Sequence, residues 1–371
     1  MTSLFLYGTL RHLPLLSVVL GRKPNGVPAQ LQDHCVMKVR DRTYPALHKL
    51  DGQVAEGLLI AVTEPERARL DYYEAAHDFD LRPACVETAD GARAAHVYFP
   101  SCPPVATNAA WSLEDWALHH GAPVTLAAKD VMALMDAFTA EEIGKRYNSI
   151  LARAHSKLRA ADSPAPMDVR KGPGGHSVTV EATRHPYNRF FAVAEQDLRF
   201  PRFDGGQSRT VTRAAFIMSD AVTVLPYDPE RDRVLLIEQF RFGPYMRGDP
   251  RPWSLEPVAG RIDPGETPED AARREAVEEA HVSIGALHEV AAYYPSPGGV
   301  TEFLWSYVGI ADLPDDAAGL GGVAEEEEDI LGHILSFSLL MELIATGEAS
   351  NAPLILTGQW LSMHRDRLRK S

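Results

Sequence analysis

GRIDPGETPEDAARREAVEEAHV, running from Gly260 to Val282, carries the most specific pattern in the second half of this chain. Thr267 is a good helix N-cap, Pro268 suits a first turn, and Asp270 occupies the third position of a capping box, so the spacing predicts a helix from there. At 3.6 residues per turn, Glu275, Glu278 and Glu279 can crowd one face. Like charges at that spacing repel by roughly 0.2–0.5 kcal/mol per pair unless a cation lies between them. Hard cations such as Mg²⁺ take oxygen ligands and keep part of their shell for phosphates. Arg274 can orient the cluster through Glu278 or through Glu266 of the preceding loop, and Gly260 and Gly265 let that loop turn tightly. Three glutamates alone would read as a solvated acidic helix; the spacing of the whole segment argues otherwise.

Working outward, 371 residues of ordinary apolar and charged content suffice for about two domains, each with its own core. The net charge of −14 is uneven, with 17 Lys+Arg against 18 Asp+Glu in residues 1–160 and 20 against 33 afterwards. That surplus argues against a nucleic-acid partner, which needs a basic face. An acidic site can still hold a diphosphate once metal ions reverse the local sign. Cys35, Cys85 and Cys102 have neither zinc-site spacing nor an even number for a disulfide framework. Together with the lack of a long apolar run or a leader-like start, they lead to the expectation of a soluble, cytoplasmic protein with no membrane partner.

The clearest break is RAADSPAPMDVRKGPGGH at 159–176, where Ser, Pro, Gly and charge replace apolar periodicity. Expected domains are 1–158 and 177–371, with 159–176 as linker. Before the break come strand-like runs at Leu4–Tyr7, Glu56–Val62 and Ala94–Phe99, and helical patterns at Thr63–Glu74 and Ala127–Asn148. After it, alternating runs precede and follow the acidic helix, and two helical patterns close the chain at 336–347 and 352–367.

Gly260, five residues, Glu266, seven residues, Arg274-Glu275, then Glu278-Glu279 and Val282 together resemble the box of the Nudix hydrolases. His281 departs from it, standing where the family usually has glycine. Over about 178–367 the chain is similar to bacterial ADP-ribose pyrophosphatases, through FDGGQSRTVTRAA (203–215), VLPYDPERDRVLLIEQFR (224–241), PWSLEPVAG (252–260), SPGGVTE (296–302), EEEEDILGHI (325–334) and NAPLILTGQWL (351–361). Pro297, 15 residues beyond Val282, occupies the position that marks ADP-ribose-hydrolysing members.

The resemblance implies that Glu275, Glu279, the main-chain carbonyl of Ala259 and Glu328 bind Mg²⁺, with Mn²⁺ as a substitute. It implies Glu326 as general base, a catalytic part for Glu278, and Arg213 and Arg241 at the adenine or phosphate end. Its reaction is hydrolysis of ADP-ribose to AMP and ribose 5-phosphate by a homodimer. Hydrolysis of another nucleotide sugar such as GDP-mannose, and binding of ADP-ribose without turnover, are the competing readings.

Residues 3–100 have their own resemblance. FLYGTLR (5–11), TYPA (43–46), GLL (57–59) and LDYYE (70–74) follow the order found in γ-glutamylcyclotransferase-like proteins, small mixed barrels. There the turn of Tyr7, Gly8, Thr9 and Leu10 would offer backbone N–H groups to a glutamyl substrate. In active members a glutamate at the position of Glu74 is acid and base, and burial beside Tyr7 and Tyr72 would raise its pKa. The sequence has His12-Leu13-Pro14 where glycine often follows the turn, and the first reading of this domain is an accessory binding or dimerisation module. The pairing of both domains resembles the tellurite-resistance-associated Nudix proteins. The expected fold class is α/β and α+β: a γ-glutamylcyclotransferase-like mixed barrel, then a Nudix α/β/α sandwich with an N-terminal β-rich extension.

Overall fold

A computed structural model describes residues 1–40, 42–77, 79–101, 106–162, 166–189, 191–322 and 328–370. They form two compact units, 1–163 and 164–371.

The first unit carries strands β1 (Thr2–Leu6), β2 (Gly26–Val39), β3 (Pro45–Val62), β4 (Phe79–Thr88), β5 (Gly91–Pro100) and β6 (Ala106–Ala110). Their order is β3-β1-β5-β4-β2-β6, and β2 also pairs with β3, which closes the first five into a barrel. β1 runs parallel to β5 and antiparallel to β3, so the barrel is mixed. Strand alternation divides β1 between two cores. Phe5 and the following Tyr7 enter the barrel interior with Leu31, Val86 and Val97, whereas Leu4 and Leu6 join the helical layer.

That layer comprises α1 (Leu13–Leu20), α2 (Glu64–Ala75), α3 (Leu113–Trp116), α4 (Ala122–Ala133), α5 (Ala140–Gly144) and α6 (Tyr147–Asp162). Helix α2 starts where sequence placed it, with a complete capping box between Thr63 and Glu66. The single helix expected over 127–148 is instead broken among α4, α5 and α6. A second capping box, Thr139 with Glu142, starts α5. At its far end Gly144 lies against the end of α2 so closely that a β-carbon would stand 2.8 Å from the Ala76 carbonyl oxygen. Helix α6 continues through 159–162, residues whose composition had suggested linker, because Ile150, Leu151 and Ala154 extend an apolar face into the same core.

In the second unit, β7 (Thr179–Asn188), β8 (Ala192–Arg199) and β9 (Val211–Ile217) make an antiparallel meander. The main sheet is built from β10 (Ala221–Asp228), β11 (Arg233–Phe240), β12 (Trp253–Glu256), β13 (Val258–Arg261), β14 (Leu287–Tyr293), β15 (Leu304–Ile310), β16 (Leu320–Gly321) and β17 (Ile330–Ser336). Its order is β14-β15-β10-β11-β17-β16. β10 and β11 pair only beside their connecting turn, and beyond it β13 adds to β10 and β12 to β11. Between the two short strands stands Pro257, which has no N–H to give either ladder.

Helix α8 (Pro268–Ala280) covers one face of this sheet; α9 (Phe337–Thr346) and α10 (Ala352–Leu368) cover the other. β10 is buried along its whole length, with Val222 and Val224 turned to α8 and Leu225 and Tyr227 to α9 and α10. The remaining helix, α7 (Phe242–Arg247), follows β11 directly. The fold is thus α+β in the first unit and an α/β/α sandwich with a β-rich extension in the second. No helix among the described residues is long and apolar enough to cross a membrane.

Candidate active sites

Helix α8 begins at Thr267, whose hydroxyl oxygen accepts the Asp270 N–H at 3.2 Å. The reciprocal half of the expected capping box is not made. Asp270, one methylene shorter than glutamate, takes the Thr267 hydroxyl instead, at 2.7 Å. The helix ends at His281 in the left-handed region, φ 54° and ψ 28°. The chain thus takes the glycine conformation without the glycine. His281 donates its N–H to the Val277 carbonyl at 3.1 Å, and the next N–H, of Val282, reaches the Ala276 carbonyl at 3.0 Å.

The three helix glutamates are not equivalent, because steps of three and four residues turn by about 300° and 400° and so leave Glu278 and Glu279 about 100° apart. Glu275 and Glu279 point inward, Glu279 buried and Glu275 largely so; Glu278 is more exposed. The Glu279 carboxylate accepts the Ala259 N–H at 3.0 Å. Glu275 lies over Gly260, where a β-carbon would stand 1.9 Å from its carboxylate. Gly260 is therefore required by close approach within β13; the tight turn belongs to Gly265, at φ +88°.

Arg274 makes both pairings expected of it, and a third. Its guanidinium holds Glu266 through two bonds, of 2.9 and 3.0 Å, and also donates to Glu275 at 2.7 Å, Glu278 at 2.9 Å and the Arg261 carbonyl at 2.9 Å. Burial works to raise the Glu266 carboxyl, but Arg274 and the Asp263 N–H hold it below its usual range. For the inward pair burial wins. Glu275 is pushed up to about 7 by desolvation, against Arg274 and with help from Glu278 and Glu328. Glu279 is pushed up to about 8, again by desolvation, with the Ala259 N–H opposing and Glu275 and Glu328 adding to the rise.

Arg241 caps α7 from the end of β11 and grips the buried Glu256 with bonds of 3.0 and 2.6 Å. Burial works against its charge, and Glu256, Glu279 and Glu328 preserve it. Arg241, Glu279 and Glu328 therefore share one electrostatic site. Strand β16 lies against the end of α8, where a β-carbon on Gly321 would meet the Glu279 carbonyl oxygen at 2.0 Å. No three His, Cys, Asp or Glu side chains among the described residues already converge to hold a metal. Glu326 lies outside the described residues.

Arg213 is not brought to this cluster. It is exposed on β9, where its guanidinium donates to the Thr212 carbonyl at 3.0 Å. Sequence reasoning passed over Glu302, whose carboxyl is raised by burial and Asp220 while Arg261 and Arg241 oppose. Its only advance signal was its place at the end of SPGGVTE.

In the first unit Glu74, near the end of α2, is half-buried, and desolvation pushes its carboxyl up to about 8. Its neighbours are partly those expected. Tyr7 and Tyr73 are driven well above the ordinary phenol range, first by burial, with Glu74 contributing. Tyr98 is raised likewise, by burial and by its 2.7 Å bond to Asp71, with Glu74 adding. Tyr72 belongs elsewhere: its hydroxyl donates to the Phe138 carbonyl at 3.1 Å. Tyr73 stands about 100° round the helix from Glu74 and Tyr72 about 200°, so the nearer ring is the one coupled to the acid.

The Tyr7 hydroxyl is buried without a well-formed hydrogen bond. Gly8 follows, where a β-carbon would stand 3.2 Å from the Pro45 ring. Thr9 to Arg11 form one tight turn that includes the buried Leu10, closed by the Arg11 N–H on the Gly8 carbonyl at 3.0 Å. His12 then caps α1 and Pro14 sits in its first turn, so the departure from glycine starts a helix. One further wall was not foreseen. His77 packs edge-on against Tyr73 and against Tyr147 of α6, with ring centroids 5.3 and 4.5 Å away, and burial lowers it to about 4. Cys35 and Cys85 are free thiols, and Cys102 lies outside the described residues.

Comparison with known proteins agrees with both halves. A NUDIX domain model matches residues 218–355, and a model described as gamma-glutamyl cyclotransferase, AIG2-like, matches residues 4–118. The ADP-ribose pyrophosphatase of Escherichia coli (strain K12) is 38% identical over 196 residues, 53% of this chain and 93% of that protein. The ADP-ribose pyrophosphatase of Haemophilus influenzae is 35% identical over 187 residues, 50% of this chain and 86% of that one. The GDP-mannose pyrophosphatase of Shigella flexneri serotype 5b is 34% identical over 151 residues, 41% and 78%. The chain belongs to the Nudix family, with a γ-glutamyl cyclotransferase, AIG2-like domain preceding its NUDIX domain.

Proposed function

We propose that the second unit hydrolyses ADP-ribose to AMP and ribose 5-phosphate with Mg²⁺, or Mn²⁺ in its place. The observation that carries this is the inward, desolvated pair Glu275 and Glu279, fixed by Gly260, Arg274 and the Ala259 N–H. Two carboxylates so desolvated, with Arg274 bonded to Glu275 and no guanidinium bonded to Glu279 among the described residues, are hard oxygen donors short of positive charge, which suits a divalent ion. Ala259 adds a third oxygen. In a strand the N–H and C=O of one residue point the same way, and the Ala259 N–H is turned from β10 toward Glu279, so its carbonyl faces the same site. Glu328 completes the set electrostatically.

When bound, the ion supplies neutralisation of the diphosphate and a more acidic water. The chain's own residues do the rest. Arg241, anchored by Glu256, would bind a phosphate, a task suited to a planar guanidinium. Water adds to one phosphorus, the bridging P–O bond breaks, and the water's proton goes to a carboxylate. Glu326 keeps that role from sequence, and Glu278 is held by Arg274 beside the inner pair. Arg213 would act only through an assembly such as the homodimer implied by the resemblance, which light scattering tests.

Glu279→Gln decides the metal assignment. The amide oxygen can still accept the Ala259 N–H, so the fold should persist while turnover falls at least about a hundredfold. Near-normal turnover at saturating Mg²⁺ would refute the assignment. Similarity to GDP-mannose pyrophosphatases supports a second substrate reading, which chromatography of products from both nucleotide sugars separates.

For the first unit, the desolvated Glu74, with Tyr7, Tyr73 and Tyr98 around it, favours an acid–base function over an accessory one. The substrate's amine would attack its own γ-carbonyl, forming the lactam of 5-oxoproline, while Glu74 passes the amine's proton to the departing nitrogen. Release of 5-oxoproline by the wild type and not by Glu74→Gln tests it; no release from any γ-glutamyl compound returns the unit to the accessory reading.

A further inference from the structure

Gln239 is the last inward residue of β11 before Arg241, and its side-chain nitrogen is buried with no hydrogen-bond partner. Only 7% of the residue is exposed. An orphaned buried donor carries the full cost of its lost hydration, so a position like this needs a reason.

Direction supplies one. Leu235 and Ile237 pack in the core beneath α8, and Gln239 follows at the two-residue spacing of the same strand face. Across the ladder it pairs with Ile330, which belongs to that core, and Ile330 lies two residues beyond Glu328. Arg241, extended at φ −121° and ψ 118°, continues the alternation. The amide thus lies in the row that ends in the Arg241 guanidinium, on the face that carries Glu279. Two carboxylates of this site are already engaged, Glu256 by Arg241 and Glu279 by the Ala259 N–H. A donor left over beside them calls for an oxygen that arrives from outside.

We propose that Gln239 is a substrate-binding residue, donating its side-chain N–H to a non-bridging oxygen of the bound diphosphate. This rests on the pyrophosphatase reading but not on the identity of the sugar. Arg241 supplies charge and Gln239 a neutral, directional donor deeper in the same row. The unpaired amide of the free protein is then the reserved half of a bond that the ligand completes, a local cost of the kind found at binding sites.

The test uses the full chain with Mg²⁺, and two probes: the non-hydrolysable α,β-methylene analogue of ADP-ribose and inorganic pyrophosphate. Calorimetric affinity and ligand-free melting are compared for wild type, Gln239→Met, which keeps the shape, and Gln239→Glu, which exchanges donor for acceptor. The expected result is a higher melting temperature for Gln239→Met, because an orphan donor has gone, together with affinity weakened about tenfold for both probes. Gln239→Glu should weaken both further. Unchanged affinity in folded Gln239→Met would overturn the proposal and make the amide a packing group alone. If the wild type binds pyrophosphate but not the analogue, the ADP-ribose reading falls and Gln239 is judged on pyrophosphate. Binding of neither probe overturns both.

Discussion

The carboxylate of Glu275 occupies the space in which any side chain on Gly260 would begin, 1.9 Å from the position of a β-carbon. Strand β13 and helix α8 are thereby set at a fixed distance, with the inward glutamate between them. Replacing Gly260 by alanine should expel that carboxylate. The expected outcome is a folded protein destabilised by about 1–3 kcal/mol, with Mg²⁺-dependent turnover reduced at least about a hundredfold. Thermal melting and initial rates measure the two effects; a Gly260→Ala variant with wild-type rates would show that Glu275 has no need of its position.

Arg274 is the outer clamp of the same cluster, and lysine cannot reproduce its fork. Arg274→Lys keeps the charge but gives up most of the bonds to Glu266, Glu275, Glu278 and the Arg261 carbonyl. Mg²⁺ affinity should fall about 10–100-fold, the usual effect of losing a partner that orients a metal ligand. A Mg²⁺ titration of activity measures it, and an unchanged midpoint would mean that Glu275 is positioned by packing alone.

His281 holds φ 54° without being glycine, a conformation that costs an L-residue about 1–2 kcal/mol. His281→Gly removes that strain and adds some chain entropy to the unfolded state. The balance is a stabilisation of about 0.5–1 kcal/mol, visible as later melting of the second unit, with turnover unchanged. Lower stability would show that the imidazole makes a compensating contact.

Glu74 sets a pH dependence in the first unit. Its carboxyl rises from 4.5 to about 8 on burial, so the folded state holds a proton that the unfolded chain releases between those values. The contribution is fully present below pH 4.5 and is lost as pH rises through 8, at about 1.4 kcal/mol per pH unit within that window. Glu74→Gln lacks this titration. Its first unit should therefore lose less stability than the wild type between pH 5 and 8, and parallel melting curves across that range would mean that Glu74 is not buried as the neutral acid.

Much of the site was legible because its chemistry sits on one helix. Thr267, Glu275 and Glu279 are spaced by helical geometry, and a helix carries its spacing into space unchanged. Arg241 and Ala259 were placed by resemblance, and the structure brings both to the cluster. The inequality of Glu278 was not read, although a 3.6-residue period contains it. The choice between Tyr72 and Tyr73 beside Glu74, the breaks between α4 and α6, and the orphaned amide of Gln239 depended on contacts between segments far apart in sequence.

By itself, the sequence determined the two domains, the acidic helix with its cap and its metal-suited carboxylates, and the barrel's YGTL turn with its distant glutamate. Those are properties of short stretches, governed by local geometry and by which residue types can do which chemistry. Tertiary structure alone decided that Glu275 needs Gly260, that desolvation raises the Glu74 carboxyl, and that Gln239 waits without a partner. Each of these is a matter of close approach or exclusion of water, which depends on what packs around a group and not on the residues beside it in the chain.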